Sequence, residues 1–310
     1  MRVLILSPGD DTGAVGIQIK GAFDRWSEDI QVRAVRNNDN YARHPFDVSG
    51  WYNNKTMVNE LYQKADIVHW MEWFEGEPTL WNRDYKKPVV LHHHGTRLRE
   101  APALYRVGVE RKAIQLASTV DLLRYGPEIR WLPNPYNSEW LKSFRDAPHG
   151  SFRPLEIFHS PTNRAIKGTQ TLIEATDALE GYNLTISEFR TWTDSLVLKG
   201  RSDVYYDGPY GLGNNAVEAF GMGIPVIAGL VPSQWATPQT RRHMIDLWGD
   251  LPFFEHNTNN LAERLREFAE DPNLRQTHKR LGLDHFARFH NEKQVVRQLS
   301  AIYNELLQSS

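Results

Sequence analysis

The chain contains no cysteine. That excludes disulfides and thiolate metal ligands, and it fits the expectation of a reducing, cytoplasmic setting. Long apolar runs are missing too. Nothing approaches the roughly 18 consecutive apolar residues of a spanning helix, so no transmembrane segment is expected. The opening MRVLILSPGDD has too short an apolar stretch for a secretory signal and reads as a first buried strand. An excess of one charge is absent as well. Lys and Arg number 36 against 38 Asp and Glu, a formal net charge of -2. With no basic tail, strong nonspecific binding to nucleic acid is not expected, although a neutral total leaves room for a local basic patch. No HExxH pattern and no repeat of solenoid length occurs.

What is there fits a folded α/β protein. At 310 residues, with 40% hydrophobic and 24% charged, the chain is long enough for two cores. Short apolar runs (Val3–Leu6, Gln31–Val35, Asp66–Trp70, Pro88–Leu91, Ala113–Ala117, Ile129–Leu132) read as strands separated by helical patterns. Pro133-Asn134-Pro135 stops the last of them. Ser143–Pro154 is polar and rich in breakers, and we place the domain boundary there. A second strand–loop–helix series begins at Leu155. Helix Thr169–Leu179 carries Leu172, Ile173, Thr176 and Leu179 on one face. The chain closes on helices, the last with Val295, Leu299, Ile302, Tyr303 and Leu306 as an apolar stripe. The alternation implies parallel sheets with crossover connections. The expected domains are 1–148, 149–285, and a helix over 286–310 returning to the first domain. Of ten tryptophans, five (Trp26, Trp51, Trp70, Trp73 and Trp81) lie in the first third. They read as core or surface cover, with a platform for a flat, sugar-like ligand as the alternative.

The richest stretch is RSDVYYDGPYGLGNNAVEAFGMGIPVIAGL, residues 201–230. A strand enters a glycine turn, a short helix follows, and then another apolar run. A glycine turn before a helix start is a place to hold an anion. Gly211 and Gly213 permit tight turning and close approach of an oxygen, but they lack the third glycine of the dinucleotide fingerprint. Asn214 and Asn215 are candidate caps. Glu218 is the only charge between Gly208 and Leu230. In apolar company it needs a polar partner, and a carboxylate there can accept two vicinal hydroxyls, as on a ribose. The alternative is a solvated helix-edge acid. Arg164 and Lys167 lie on the loop SPTNRAIKG just before a helix, where a cation opposes the helix dipole unless an anion sits between. Together they suggest a diphosphate clamp, with a solvated loop as the bland alternative. Gly13 and Gly16 flank the first helix and read either as a ligand loop or as a tight turn. His92, His93 and His94 end a strand, with His92 and His94 on one face. No third ligand is evident, so no metal site is expected. A pocket histidine that positions a hydroxyl is the preferred reading.

At this point the chain resembles the GT-B glycosyltransferases, and most of all the large family 4 of retaining enzymes. The stretch 201–230 is similar to their donor-site signature. Glu218 matches the second glutamate of an E-x7-E pattern, which implies a ribose contact. The first glutamate falls on Tyr210, a departure at the residue that touches the donor sugar in the family. Gly211, Leu212 and Gly213 match the phosphate-binding turn, with Asn214 following. FHSPTNRAIKGTQTLIEA resembles the basic segment that meets the diphosphate, with Lys167-Gly168 the best match and Arg164 displaced by two residues. SPGDDTGAVG resembles the first-domain glycine loop near the donor phosphates, carrying Gly13 and Gly16. VVLHHHGTRLR resembles the strand leading to a histidine–glycine pair, here His94-Gly95.

The resemblance implies two Rossmann-like domains facing across a cleft. It implies a nucleoside diphosphate sugar as donor substrate, with no cofactor and no metal. The activity implied is retaining transfer of a sugar to the hydroxyl of a glycan or other acceptor, with His94, Arg164 and Lys167 as the catalytic set. Three alternatives stand beside it: a noncatalytic nucleotide-sugar or glycan binder, another GT-B reaction such as epimerisation, and a glycosyltransferase acting on a nucleic-acid base. The segment Leu184–Ser202 is short, and the second sheet is expected to lack a strand.

Overall fold

A computed structural model of the chain describes residues 1–7, 14–37, 45–51, 53–72, 87–145, 154–233, 235–257 and 259–309. They form two compact units, one of Met1–Pro135 with Asn291–Ser310, the other of Tyr136–His290.

The first unit is built on seven parallel strands. They are β1 (Arg2–Ser7), β2 (Gln31–Arg36), β3 (Val48–Ser49), β4 (Ile67–Met71), β5 (Val89–His93), β6 (Ile114–Ala117) and β7 (Arg130–Trp131). Their spatial order is β3-β2-β1-β4-β5-β6-β7. Strand side chains alternate between faces, and both faces are covered. Val3, Ile5, Val32, Ala34, Ile67 and Val90 pack on one side with Ile19 and Phe23 of helix Val15–Trp26. Leu4, Leu6, Val35, Val68, Trp70 and Leu91 pack on the other with Val58 of helix Lys55–Lys64. Trp51 and Trp70 are thus core residues, their rings in edge contact at 6.1 Å. Trp73 and Trp81 lie outside the described residues.

Helix Glu292–Gln308 closes the first core. Val295, Val296, Leu299, Tyr303 and Leu306 recur at helical spacing and are all buried in it. Each such side chain contributes about 1.5–3 kcal/mol. Asn291 caps the helix by accepting the Lys293 N–H at 3.0 Å, and Glu292 pairs with Arg25 while accepting from Trp26 Nε1 at 3.1 Å.

The second unit carries five parallel strands, β8 (Leu155–His159), β9 (Tyr182–Ile186), β10 (Val204–Gly208), β11 (Val226–Gly229) and β12 (Phe254–His256), in the order β12-β11-β10-β8-β9. Only helix Trp192–Gly200 lies between β9 and β10. The units divide at Pro135/Tyr136 and His290/Asn291, whereas the sequence places the divisions at 148/149, on breaker composition, and at 285/286, where the closing helix is expected to begin. The reason is local. The Tyr136 N–H donates to the His290 carbonyl at 2.9 Å. Helix Ser138–Lys142 sets Leu141 so close to Gly221 that a Cβ there would lie 2.6 Å from it. The described start of the polar stretch, Ser143–Arg145, therefore belongs to the second unit.

Candidate functional site

The second sheet reverses its winding at β8. β9 is laid down on one side, and the chain then returns to add β10, β11 and β12 on the other. At such a reversal the loops leaving two neighbouring strands diverge and open a crevice at the strands' carboxyl ends. The loop after β8 carries Arg164 and Lys167. β10 ends in Asp207 and Gly208, and residues 209–213 lead into helix Asn214–Gly221.

Lys167 reaches that turn. Its Nζ lies 3.0 Å from Asp207 Oδ1. The Asp207 carboxylate is wholly buried; its Oδ2 accepts the Gly213 N–H at 2.5 Å, and Oδ1 also receives the Tyr205 hydroxyl at 3.3 Å. A Cβ on Gly213 would sit 3.1 Å from Lys167 Nζ. Gly208, at φ 118°, would place a Cβ 3.0 Å from the Lys167 carbonyl oxygen, so only glycine lets the two segments approach this closely. Gly211, at φ 101°, turns its N–H to the Gly229 carbonyl at 2.7 Å. Leu212 and Asn214 are half-buried at the helix entry. Tyr210 pairs with Leu230 in an isolated bridge, and its ring lies 5.1 Å from that of Trp235.

Glu218 is buried rather than solvated. It pairs with the wholly buried Lys199, and its other oxygen accepts from Trp192 Nε1 at 2.7 Å. Lys199 also donates to the Asn215 backbone carbonyl at 3.1 Å and side-chain Oδ1 at 3.0 Å. Burial pulls the Lys199 ammonium below its ordinary pKa, with Glu218 opposing that pull. The polar partner that Glu218 requires thus comes from the preceding helix, Trp192–Gly200. Arg164 is exposed and grips Glu188 through Nε at 3.0 Å and Nη2 at 2.6 Å. Glu188 raises the Arg164 pKa, and Arg164 holds Glu188 below the usual carboxylate range. Three cations of this region, Arg164, Lys167 and Lys199, therefore face three acids, Glu188, Asp207 and Glu218. The Gly213 N–H is taken by Asp207. An incoming anion must share Lys167 and meet the helix start through N–H groups beyond Gly213.

Asp207, Lys199, Glu188 and Trp192 were not singled out by the sequence. Asp207 had a visible signal, a carboxylate at the end of a buried strand just before a glycine turn.

In the first unit, His94 follows β5 and is half-buried. Its Nδ1 lies 2.8 Å from Ser118 Oγ, and its backbone N–H donates to Glu72 Oε1 at 3.0 Å. Burial, with His93 adding to it, pushes the imidazole down to about 3. Gly16 is buried in the first turn of helix Val15–Trp26, and Gly13 lies outside the described residues. Among the described residues no group of three or more His, Cys, Asp or Glu is arranged to hold a metal ion. No described helix is long and apolar enough to cross a membrane.

Solved structures share this architecture. Anabaena HepE, solved in complex with UDP, superposes with a TM-score of 0.68 at 13% identity, covering 98% of this chain and 100% of that one. An α-glucosyltransferase solved with UDP and a DNA containing an HMU base matches at a TM-score of 0.68 and 12% identity, over 97% of this chain and 98% of that one. A glycosyltransferase from Rickettsia africae matches at a TM-score of 0.65 and 16% identity, over 100% and 99%. No protein-family model matches the chain, and neither does any curated protein sequence. At these identities the likeness speaks for the fold. The chain has the GT-B fold, with two Rossmann-like lobes on parallel sheets.

Proposed function

We propose that the chain is a retaining glycosyltransferase of the family 4 type, moving a sugar from a nucleoside diphosphate to an acceptor hydroxyl without a divalent metal. The observation that carries the reading is Lys167 Nζ set against the turn between β10 and helix Asn214–Gly221, at the winding reversal of the second sheet. An ammonium and a helix start converge there, which is the chemistry a diphosphate needs. The fold is shared with HepE, which was solved with UDP and with UDP-glucose. UDP is accordingly the first donor nucleotide to try.

In this reading Lys167 and the N–H groups at the helix start stabilise charge on the diphosphate as the bond to the anomeric carbon breaks. The acceptor oxygen takes the vacated position, and its proton passes to the departing diphosphate. Asp207 pairs with Lys167 and competes with the diphosphate for its ammonium. Glu218 stands beside the turn as the ribose partner, fixed by Lys199 and Trp192. Arg164 joins only by exchanging Glu188 for the donor, a change that costs little because exposed ion pairs contribute little. Tyr210, paired with Trp235, gives the sugar subsite an aromatic edge where the family has a carboxylate. His94 in the first lobe serves the sugar or the acceptor hydroxyl.

The acceptor class remains a hydroxyl-bearing molecule such as a glycan. Likeness to an α-glucosyltransferase solved with DNA favours a nucleic-acid hydroxyl as the second reading. The test is a panel of UDP-, GDP-, ADP-, CDP- and dTDP-sugars with glycan and hydroxymethylated DNA acceptors, read by mass. A product heavier by one sugar, with nucleoside diphosphate released, supports the proposal. Binding of a nucleotide sugar with neither product nor diphosphate release would make the protein a binder and overturn it.

A further inference from the structure

Two loops of the second lobe zip together beside the glycine turn. Tyr210 pairs with Leu230 in an antiparallel bridge. The Gly211 N–H donates to the Gly229 carbonyl at 2.7 Å, and the Val231 N–H to the Pro209 carbonyl at 2.9 Å. The chain after β11 then turns on Ser233, whose Oγ accepts the N–H groups of Trp235 and Ala236 at 3.1 Å each. Thr237 and Thr240 follow as the capping box of helix Pro238–Trp248. Trp235 is thereby set beside Tyr210, with ring centroids 5.1 Å apart and planes tilted by 45°. Behind the turn, a Cβ on Gly211 would lie 3.7 Å from Met244 Cε and 3.9 Å from Leu230 Cδ2. Met244 is buried, and Tyr210, Leu230 and Trp235 are half-buried.

This corner is apolar. From Gly208 to Thr240 the only charged residue is Glu218, and Lys199 and Trp192 engage its carboxylate. Arg241, the next charge, pairs with Glu255. What surrounds Gly211 is two aromatic rings, a leucine and a thioether, with a phenol hydroxyl and an indole N–H on the rings' edges. Tyr210 stands three residues before Gly213, at most about 11 Å along the chain. In a nucleoside diphosphate sugar the ring is one oxygen beyond the second phosphorus. A diphosphate at Lys167 and the helix start leaves that sugar within reach of the aromatic pair.

We propose that the site takes a 6-deoxyhexose donor in preference to the parent hexose. The inference rests on the proposed function and adds the class of sugar to it. A hexose brings a hydroxymethyl group, whose hydroxyl loses water against this corner unless it finds a partner. A 6-deoxyhexose brings a methyl group in its place, and a methyl group gains from every apolar atom it meets. The faces of Tyr210 and Trp235 carry the negative side of the ring quadrupole, which favours C–H groups over hydroxyl oxygens. A carboxylate at Tyr210 would act the other way, by accepting hydroxyl protons. Apolar pockets separate ligands that differ by one hydroxyl by up to about 100-fold.

The test is calorimetric binding of matched donors to the full chain: UDP-glucose against UDP-6-deoxyglucose, GDP-mannose against GDP-6-deoxymannose, and dTDP-glucose against dTDP-6-deoxyglucose. UDP, GDP and dTDP serve as references. Each pair differs by one oxygen, so the nucleotide contribution cancels. For the base that the protein accepts, the 6-deoxy donor should bind about tenfold tighter or more. Tyr210→Phe, which keeps the ring, should preserve that ratio. Tyr210→Gln, which offers an amide to a hydroxyl, should cut it below about threefold, with the unfolding midpoint checked alongside. A hexose donor that binds as well as its 6-deoxy partner, or better, overturns the proposal while the diphosphate site stands. A ratio unmoved by Tyr210→Gln also overturns it, because the preference would then arise elsewhere. If neither the sugars nor the bare diphosphates bind, the donor site itself falls and the inference with it.

Discussion

Mild acid should loosen the first lobe, and three of its buried rings set the least size of the effect, with burial of His93 acting in the same direction. His69, His92 and His94 are held neutral by burial, two of them down to about 3. The unfolded chain takes up protons as pH falls through about 6.5, the ordinary imidazole value, while the native rings stay bare. Their contribution is therefore complete above that value and is lost as pH drops toward the folded pKa. Each ring contributes a slope of about 1.4 kcal/mol per pH unit in that window. Moving from about pH 7.5 to about pH 5.5 thus costs about 1.4 kcal/mol per ring, or ~4 kcal/mol for the three. Carboxylates held low, such as Asp66 and Glu305, do not titrate there. Urea unfolding followed by tryptophan fluorescence reads the change. With a urea slope of about 1–3 kcal/mol per molar, the first-lobe midpoint should fall by more than about 1 M. Equal midpoints at the two pH values would refute buried, neutral rings.

Other predictions concern the second lobe. Lys199→Met should destabilise the protein by about 3–5 kcal/mol, because it strands the buried Glu218 carboxylate. Lys199→Met with Glu218→Leu should recover much of that loss in the same urea assay; a double variant no better than the single would contradict the pairing. Loss of nucleotide binding in Glu218→Ala therefore has meaning only beside its unfolding curve. Asp207→Asn keeps an acceptor for the Gly213 N–H but removes the negative partner of Lys167. Diphosphate affinity should rise about fivefold, ~1 kcal/mol, at low salt; weaker binding would make Asp207 a required positioner instead. Arg164→Ala should leave the unfolding midpoint near that of wild type, since the Glu188 pair is exposed.

The strand–turn–helix around Gly211 and Gly213 was legible because its signals are local: an apolar run, a cluster of glycines of which Gly208 and Gly211 sit at positive φ, an acid one turn into a helix. The alternation of strands and helices was legible for the same reason. The C-terminal helix announced its buried stripe through Val295, Leu299, Tyr303 and Leu306. Partners were not legible, because they are set by topology. Tyr303 lies 234 residues from His69, and only sheet order brings β4 under that helix. Lys199 stands 19 residues before Glu218, one crossover away. Asp207 looked like the end of a strand, although its carboxylate lies where the glycine turn invited an anion from outside. The first unit boundary was placed late because breaker residues mark a change of composition, not of unit, and the chain after Lys142 still belongs to the second unit.

Calorimetric titration of wild type and Lys167→Ala with UDP and with uridine, the GDP, ADP, CDP and dTDP counterparts alongside, probes the donor clamp most directly. Wild type should bind one diphosphate more tightly than its nucleoside. Lys167→Ala should weaken that diphosphate by about tenfold or more, as befits one charge-assisted hydrogen bond, and leave the nucleoside unchanged. Equal losses for both ligands, or no loss for either, would contradict a diphosphate held at the turn after β10.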